Sequence, residues 1–150
     1  MNKTDFQALE AAAVKDGIQK YVVGACIVHE GKVLLLKRSL KEEFLPGLIE
    51  LPSGKVEDGE TLASALPREV LEETNLKIKT IDTYLGNFDY TSHSGKKARQ
   101  YNFTVTVEDI APLTLNDDEH SEYFWVDPQL HDFSHFTVSE NTLEIIGKIK

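Results

Sequence analysis

Apolar positions along the chain change their spacing several times, and each change marks an element. Phe6, Leu9 and Ala13 recur at helical intervals between residues 5 and 16, and Gly17 supplies a stop, which predicts a short amphipathic helix. "YVVGACIVHEGKVLLLKR" reads as two strands joined at His29-Glu30-Gly31, with Gly31 taking the positive φ of a tight hairpin. Residues 44–59 carry Pro46-Gly47, Pro52, Gly54 and Asp58-Gly59, so an irregular segment with several turns is expected there. Helical spacing returns with Leu62, Ala65, Leu66 and Val70, behind a cap supplied by Thr61 or Ser64. Tyr84, Phe88 and Tyr90 share one parity, as do Tyr101, Phe103, Val105 and Val107; these are half-buried strands joined by the polar loop 91–98. A third strand over 123–126 ends at Asp127-Pro128, and Ser139 caps a last helix carrying Leu143, Ile146 and Ile149.

Composition narrows the class. A length of 150 residues with 41% apolar positions suits one domain, residues 1–150, able to bury a single core. The formal charge of -9 makes the average surface repel a nucleic-acid backbone or an anionic membrane, so neither is an expected partner. A small phosphorylated ligand is compatible with that charge, because divalent cations reverse the sign of a site locally. Cys26 stands alone, which excludes an intrachain disulfide and a thiolate zinc site; it reads as a small apolar strand residue. The first twenty residues hold acids and no unbroken apolar run, and the longest aliphatic run, Val33 to Leu36, is too short to span a bilayer. A cytoplasmic protein is expected.

The sharpest chemical signal is "REVLEET" at residues 68–74, where Glu69, Glu72 and Glu73 stand at i, i+3 and i+4 on one helix face. Like charges so placed repel by about 0.2–0.5 kcal/mol per pair, and pairing of Arg68 with Glu72 offsets only part of this. Three carboxylates on a rigid element beside a turn-rich loop are what a hard cation such as Mg2+ requires. Around them the order is Gly54, five residues, Glu60, seven residues, Arg68-Glu69-Val70, Glu72-Glu73, Asn75 and Leu76. This resembles the Nudix box, G-x5-E-x7-R-E-U-x-E-E-x-G-U with U apolar, the signature of the Nudix or MutT-like hydrolases. Asn75 replaces the last glycine, a substitution that a left-handed position just past a helix tolerates. Ser53 stands where the family commonly has another glycine. Pro67 would interrupt the helix unless Ser64 is the cap, which would bring it into the first turn.

The resemblance implies an α/β fold with a mixed sheet sandwiched between helices. It implies hydrolysis of a diphosphate linkage in a small nucleotide, with Mg2+ or Mn2+ as cofactor. By position, Glu69, Glu72 and Glu73 would be metal ligands together with the Ser53 carbonyl, while Arg68 would orient the carboxylates and Glu60 would support the loop. Without metal, such a cluster should show raised carboxylate pKa values, since each charge disfavours the next. The general base falls outside the box; Glu122 is the first candidate and Glu119 the second. Arg38 and Lys55 flank the box as candidate phosphate-binding cations. Lys96, Lys97 and Arg99 could guide a phosphate tail but read first as a solvated hairpin loop, His93 and His120 receive no role, and Phe44, Phe88 and Tyr90 could stack on a base but read first as core. The leading expectation is a pyrophosphohydrolase for a nucleoside triphosphate or similar nucleoside diphosphate derivative. A nucleotide-sugar or ADP-ribose pyrophosphatase and a catalytically silent nucleotide-binding regulator are the alternatives, and a homodimer is left open.

Overall fold

A computed structural model describes residues 3–149. The elements run α1 (Lys3–Lys15), β1 (Lys20–His29), β2 (Lys32–Arg38), β3 (Ile49–Glu50), β4 (Ser53–Lys55), α2 (Leu62–Thr74), β5 (Ile78–Thr91), β6 (Lys97–Val107), β7 (His120–Val126) and α3 (Glu140–Gly147). β1 is the axis. β6 runs parallel along one of its edges, from Lys20 opposite Ala98 to Ile27 opposite Val105, and β5 pairs antiparallel with β6. Antiparallel partners share the rest of β1: β4 at Val22–Gly24 and β2 at Val28–His29. β2 continues outward to pair with β3 and β7.

Alternation along these strands builds two cores. Val23, Ala25 and Ile27, with Leu34, Leu36, Tyr101 and Phe103, meet Phe6 and Ala13 of α1 and the Leu62, Ala65, Leu66 and Val70 stripe of α2. The intervening residues, including Cys26, Val33, Leu35 and Val126, face Ile145, Ile146 and Ile149 at the α3 end of the chain. Each fully buried Leu or Ile stabilises by about 1.5–3 kcal/mol, so the period-2 pattern dictates the sandwich. The mixed sheet between helices is the expected α/β fold. No helix among the described residues is long and apolar enough to cross a membrane.

Several local expectations are corrected. The segment 44–59 contains β3 and β4, held by pairing with β2 and β1. In the first hairpin Glu30 (φ 49°) joins Gly31 (φ 78°) in the left-handed region, the signature of a type I′ turn. Register shifts in β5, one of them between Tyr84 and Gly86, break its parity: Tyr84 packs on the α1/α2 side, Phe88 on the α3 side. In α3 the inward residues are Ile145 and Ile146, while Leu143 is 37% exposed. Thr61 is the cap of α2, paired reciprocally with Ser64, so Pro67 lies inside the helix and not in its first turn. Asn75 ends α2 at φ 64°, as its residue type allows.

Candidate active site

The apolar stripe of α2 faces the sheet, which turns Glu69 and Glu73 toward β4. Glu73 is 6% exposed, and its Oε1 accepts the Ser53 N–H at 2.6 Å. Gly54 leaves room for the Glu69 carboxylate, which a Cβ there would meet at 2.0 Å and push aside. Behind these acids Arg68 forms a bracket. It donates through Nε and Nη2 to the two Glu60 oxygens at 2.6 and 2.7 Å, through Nη1 to Glu69 at 2.8 Å, and through Nη2 to the Lys55 carbonyl at 2.9 Å. Fork-to-fork pairing of this kind fixes direction as well as charge. The Arg68 guanidinium holds the Glu60 carboxyl below its ordinary range.

Glu69 and Glu73 open onto a cleft of about 320 Å3 whose wall also holds Arg38, Glu42, Glu50, Glu119 and His120. Five carboxylates thus face one arginine there. Arg38 is already engaged: Nη1 and Nη2 lie 3.4 Å from Glu50 and Glu42, and Nε donates to the Phe44 carbonyl. Burial pushes the Glu73 carboxyl up to about 9, with Glu50, Glu69 and Glu119 adding like charge. Burial also raises Glu69, opposed by Arg68. The expected upward shift is therefore present for these two acids, but desolvation is its main cause and mutual repulsion comes second. His120 is 2% exposed and sits between Glu50 and Glu73. Desolvated oxygen donors in negative excess suit a hard divalent cation, which would offset both the burial and the repulsion.

A second cleft of about 370 Å3 adjoins the first and shares Arg38, Glu50 and Ser53 with it. Its walls carry Phe44, Phe88, Tyr90 and His93, with the amides of Gln100 and Asn141. Phe44 and His93 stand 5.1 Å apart and Phe88 and Tyr90 6.1 Å apart between ring centroids. The flat apolar surfaces adjoin an acidic one.

Most but not all of the sequence candidates meet here. Glu69, Glu73, Ser53 and Arg38 line the acidic cleft, and Arg68 and Glu60 brace it from behind. Glu72 does not enter; it is 59% exposed and pairs with Arg68 at 3.1 Å. Lys55 contributes its backbone carbonyl, while its side chain lines a separate depression with Lys20 and Glu57. Glu122, the first base candidate, does not line the acidic cleft. A bulge sets His120 opposite Arg38 and Glu122 opposite Lys37, which sends the two to opposite faces and places Glu122 beside Leu113 and Asp117 in another depression. Glu119 takes its place in the cleft. His120 and Glu50 were missed as cleft residues, and Phe44, Phe88 and Tyr90, read first as core, line the second cleft. Arg99 is no loop charge either: it is paired with Asp16 at 3.0 Å and Asp89 at 2.6 Å.

The fold and the site thus define a class: a mixed sheet between helices, with a carboxylate helix braced by arginine over a glycine turn. The NUDIX domain model matches residues 19–143, and the chain belongs to the Nudix hydrolase family. It is 29% identical over 132 residues to the nucleoside triphosphatase NudI of Escherichia coli O17:K52:H18, covering 83% of this chain and 92% of that protein. It is 27% identical over 107 residues to the phosphatase NudJ of Escherichia coli O1:K1, covering 71% and 67%. Among solved structures, a MutT protein from Methanosarcina mazei Go1 superposes with a TM-score of 0.73 at 28% identity, covering 87% and 91%.

Proposed function

We propose that the chain is a Mg2+-dependent pyrophosphohydrolase that cleaves the diphosphate linkage of a nucleoside triphosphate or a similarly small nucleoside diphosphate derivative. The observation that carries this reading is the fusion of two unlike clefts through Arg38, Glu50 and Ser53. One part suits a planar base and the other suits phosphates accompanied by a cation. The similarity to a protein named as a nucleoside triphosphatase, spanning 83% of this chain, supports the same class.

Glu69 and Glu73, with the Ser53 carbonyl, would hold Mg2+, and Glu72 would serve from the rim. Bound there, the ion supplies charge neutralisation of the diphosphate and a lowered pKa for a coordinated water. The protein's own groups do the rest. Arg68 and Glu60 fix the carboxylates so that little reorganisation is needed when charge develops. Arg38, at the junction of the clefts, faces the phosphates, and Glu119 accepts the proton of the attacking water. Phe44, Phe88 and Tyr90 bury the base, contributing binding that aligns the reacting phosphate.

Release of phosphate or pyrophosphate from nucleoside triphosphates, damaged nucleotides, nucleotide sugars and ADP-ribose, with Mg2+ or with chelator, tests the reading. Metal-dependent turnover of triphosphates that is lost in Glu73→Gln is expected. Turnover confined to nucleotide sugars or ADP-ribose would replace the substrate class, and Mg2+-dependent binding without any turnover would replace the enzyme by a regulator.

A further inference from the structure

One nitrogen in the acidic cleft is left unused by the hydrogen bonds around it. His120 Nε2 lies 2.7 Å from Glu50 Oε2, an oxygen that also faces Arg38 Nη1 at 3.4 Å. A carboxylate only accepts, so Nε2 carries the proton and Nδ1 turns its lone pair into the cleft. Among the described residues, that buried Nδ1 has no hydrogen-bond partner. What it meets is Glu73 Oε2 at 3.5 Å. The other Glu73 oxygen is occupied by the Ser53 N–H, so Oε2 is the one left for the cleft. Ligand atoms of Glu73, Glu119 and His120 all lie within 4.8 Å of one another.

Nδ1 and Glu73 Oε2 face each other in a buried space without a hydrogen bond between them, and a divalent cation that displaces the Glu73 proton would be shared by both. Donors bound to one ion at about 2.1 Å, with bond angles of about 90–110°, stand roughly 3.0–3.5 Å apart. The Nδ1 to Oε2 separation of 3.5 Å falls at the edge of this range. A carboxylate behind the distal imidazole nitrogen, here Glu50, is also the partner that metal-bound histidines take to fix tautomer and ring orientation. Mg2+ favours oxygen donors, whereas an imidazole nitrogen favours transition ions such as Co2+ and Zn2+. We propose that His120 Nδ1, together with Glu73 and Glu119, ligates a divalent transition-metal ion, giving the acidic cleft a nitrogen-containing site that prefers Co2+ or Zn2+ over Mg2+. Glu119 has two oxygens, so one can serve the ion while the other takes the proton of the attacking water. The inference rests on reading the cleft as a divalent-cation site and goes beyond it in naming a nitrogen ligand.

The metal-free full chain is titrated with Co2+, followed by its visible absorption, and with Mg2+, followed by calorimetry. Wild type, His120→Asn and Glu50→Gln are compared. Co2+ affinity should fall by about 10–100-fold in Glu50→Gln, the usual loss for an outer-shell partner, and at least as far in His120→Asn. Mg2+ affinity should change less than about threefold in His120→Asn, a ratio argued from the oxygen preference of that ion. Ring 15N spectra of the wild type should show Nδ1 of His120 shifting on Zn2+ addition while Nε2 keeps its proton. Unchanged Co2+ affinity, equal losses for both ions, or an unmoved Nδ1 resonance overturns the proposal. If the variants do not fold, the wild-type spectrum decides alone. Mg2+-dependent hydrolysis with an unmoved Nδ1 removes only the nitrogen ligand; a shifted Nδ1 without hydrolysis removes only the enzymatic reading.

Discussion

At the scale of single residues, Glu73 carries the strongest conflict between burial and charge. Its native pKa of about 9 lies above the ordinary 4.5, so the folded chain binds that proton more tightly than the unfolded one. The stability it contributes is complete below about pH 4.5 and is lost as pH rises through about 9. Melting curves of the metal-free protein should therefore fall from pH 7 to 9.5 in the wild type and fall less in Glu73→Gln. Added Mg2+ at 100 times its Kd should stabilise the wild type by about 2.7 kcal/mol through linkage, and the variant by much less. Turnover in Glu73→Gln should drop at least about 100-fold, equivalent to about 2.7 kcal/mol of barrier. Gly54 gives the opposite division. The atom a Cβ would strike is the far end of the Glu69 side chain, which can move. Gly54→Ala should then leave denaturant stability within about 1 kcal/mol, near the range of ordinary surface changes. Displacing that carboxylate by about 1 Å can still cost roughly 100-fold in kcat/KM, which steady-state kinetics would read.

At the scale of elements, α2 combines a well-made cap with a misplaced proline. Pro67 has no N–H for the Ala63 carbonyl, and interior proline is about 3 kcal/mol less favourable than alanine. Freeing the unfolded chain takes back about 0.4–1 kcal/mol, so Pro67→Ala should stabilise by roughly 2–2.6 kcal/mol in a urea titration. A midpoint shifted downward would mean that the proline ring packs in a way its half-buried position does not suggest. The same helix shows how far the sequence reaches. Its apolar stripe, its caps and the Arg68–Glu60 pairing follow from spacing within one short segment. The rest of the site does not. Glu50 lies 70 residues before His120 and meets it only because β3 and β7 both pair with β2. Strands of two and three residues, as in β3 and β4, are too short to show a period. Bulges in β5 reverse the alternation on which the placement of Phe88 relied, and the one at Lys37/Arg38 sets Glu122 and His120 on opposite faces, which a regular count along the strand does not show.

At the scale of the whole molecule, the two faces of the sheet have different work. The α3 side joins the aromatic wall to the second core through Phe88, while the α1/α2 side anchors the carboxylate helix. Charge ties the N-terminal end to the sheet: Arg99, 11% exposed, bridges Asp16 after α1 and Asp89 on β5. Arg99 holds the Asp89 carboxyl below its usual range, so this link strengthens folding above the ordinary aspartate pKa and is lost as pH falls through the depressed native value. The apolar face of α1, which precedes the family-matched residues 19–143, lies over Phe103 with Phe6 at a centroid distance of 5.5 Å. A chain shortened to begin at residue 18 would keep every group of both clefts and uncover aromatic rings of the sheet. Light scattering of that shortened chain should show self-association at concentrations where the full chain stays clear. On that outcome the first helix is a solubility device: among the described residues it contributes no group to either cleft, and its work is to keep the rest of the molecule dispersed.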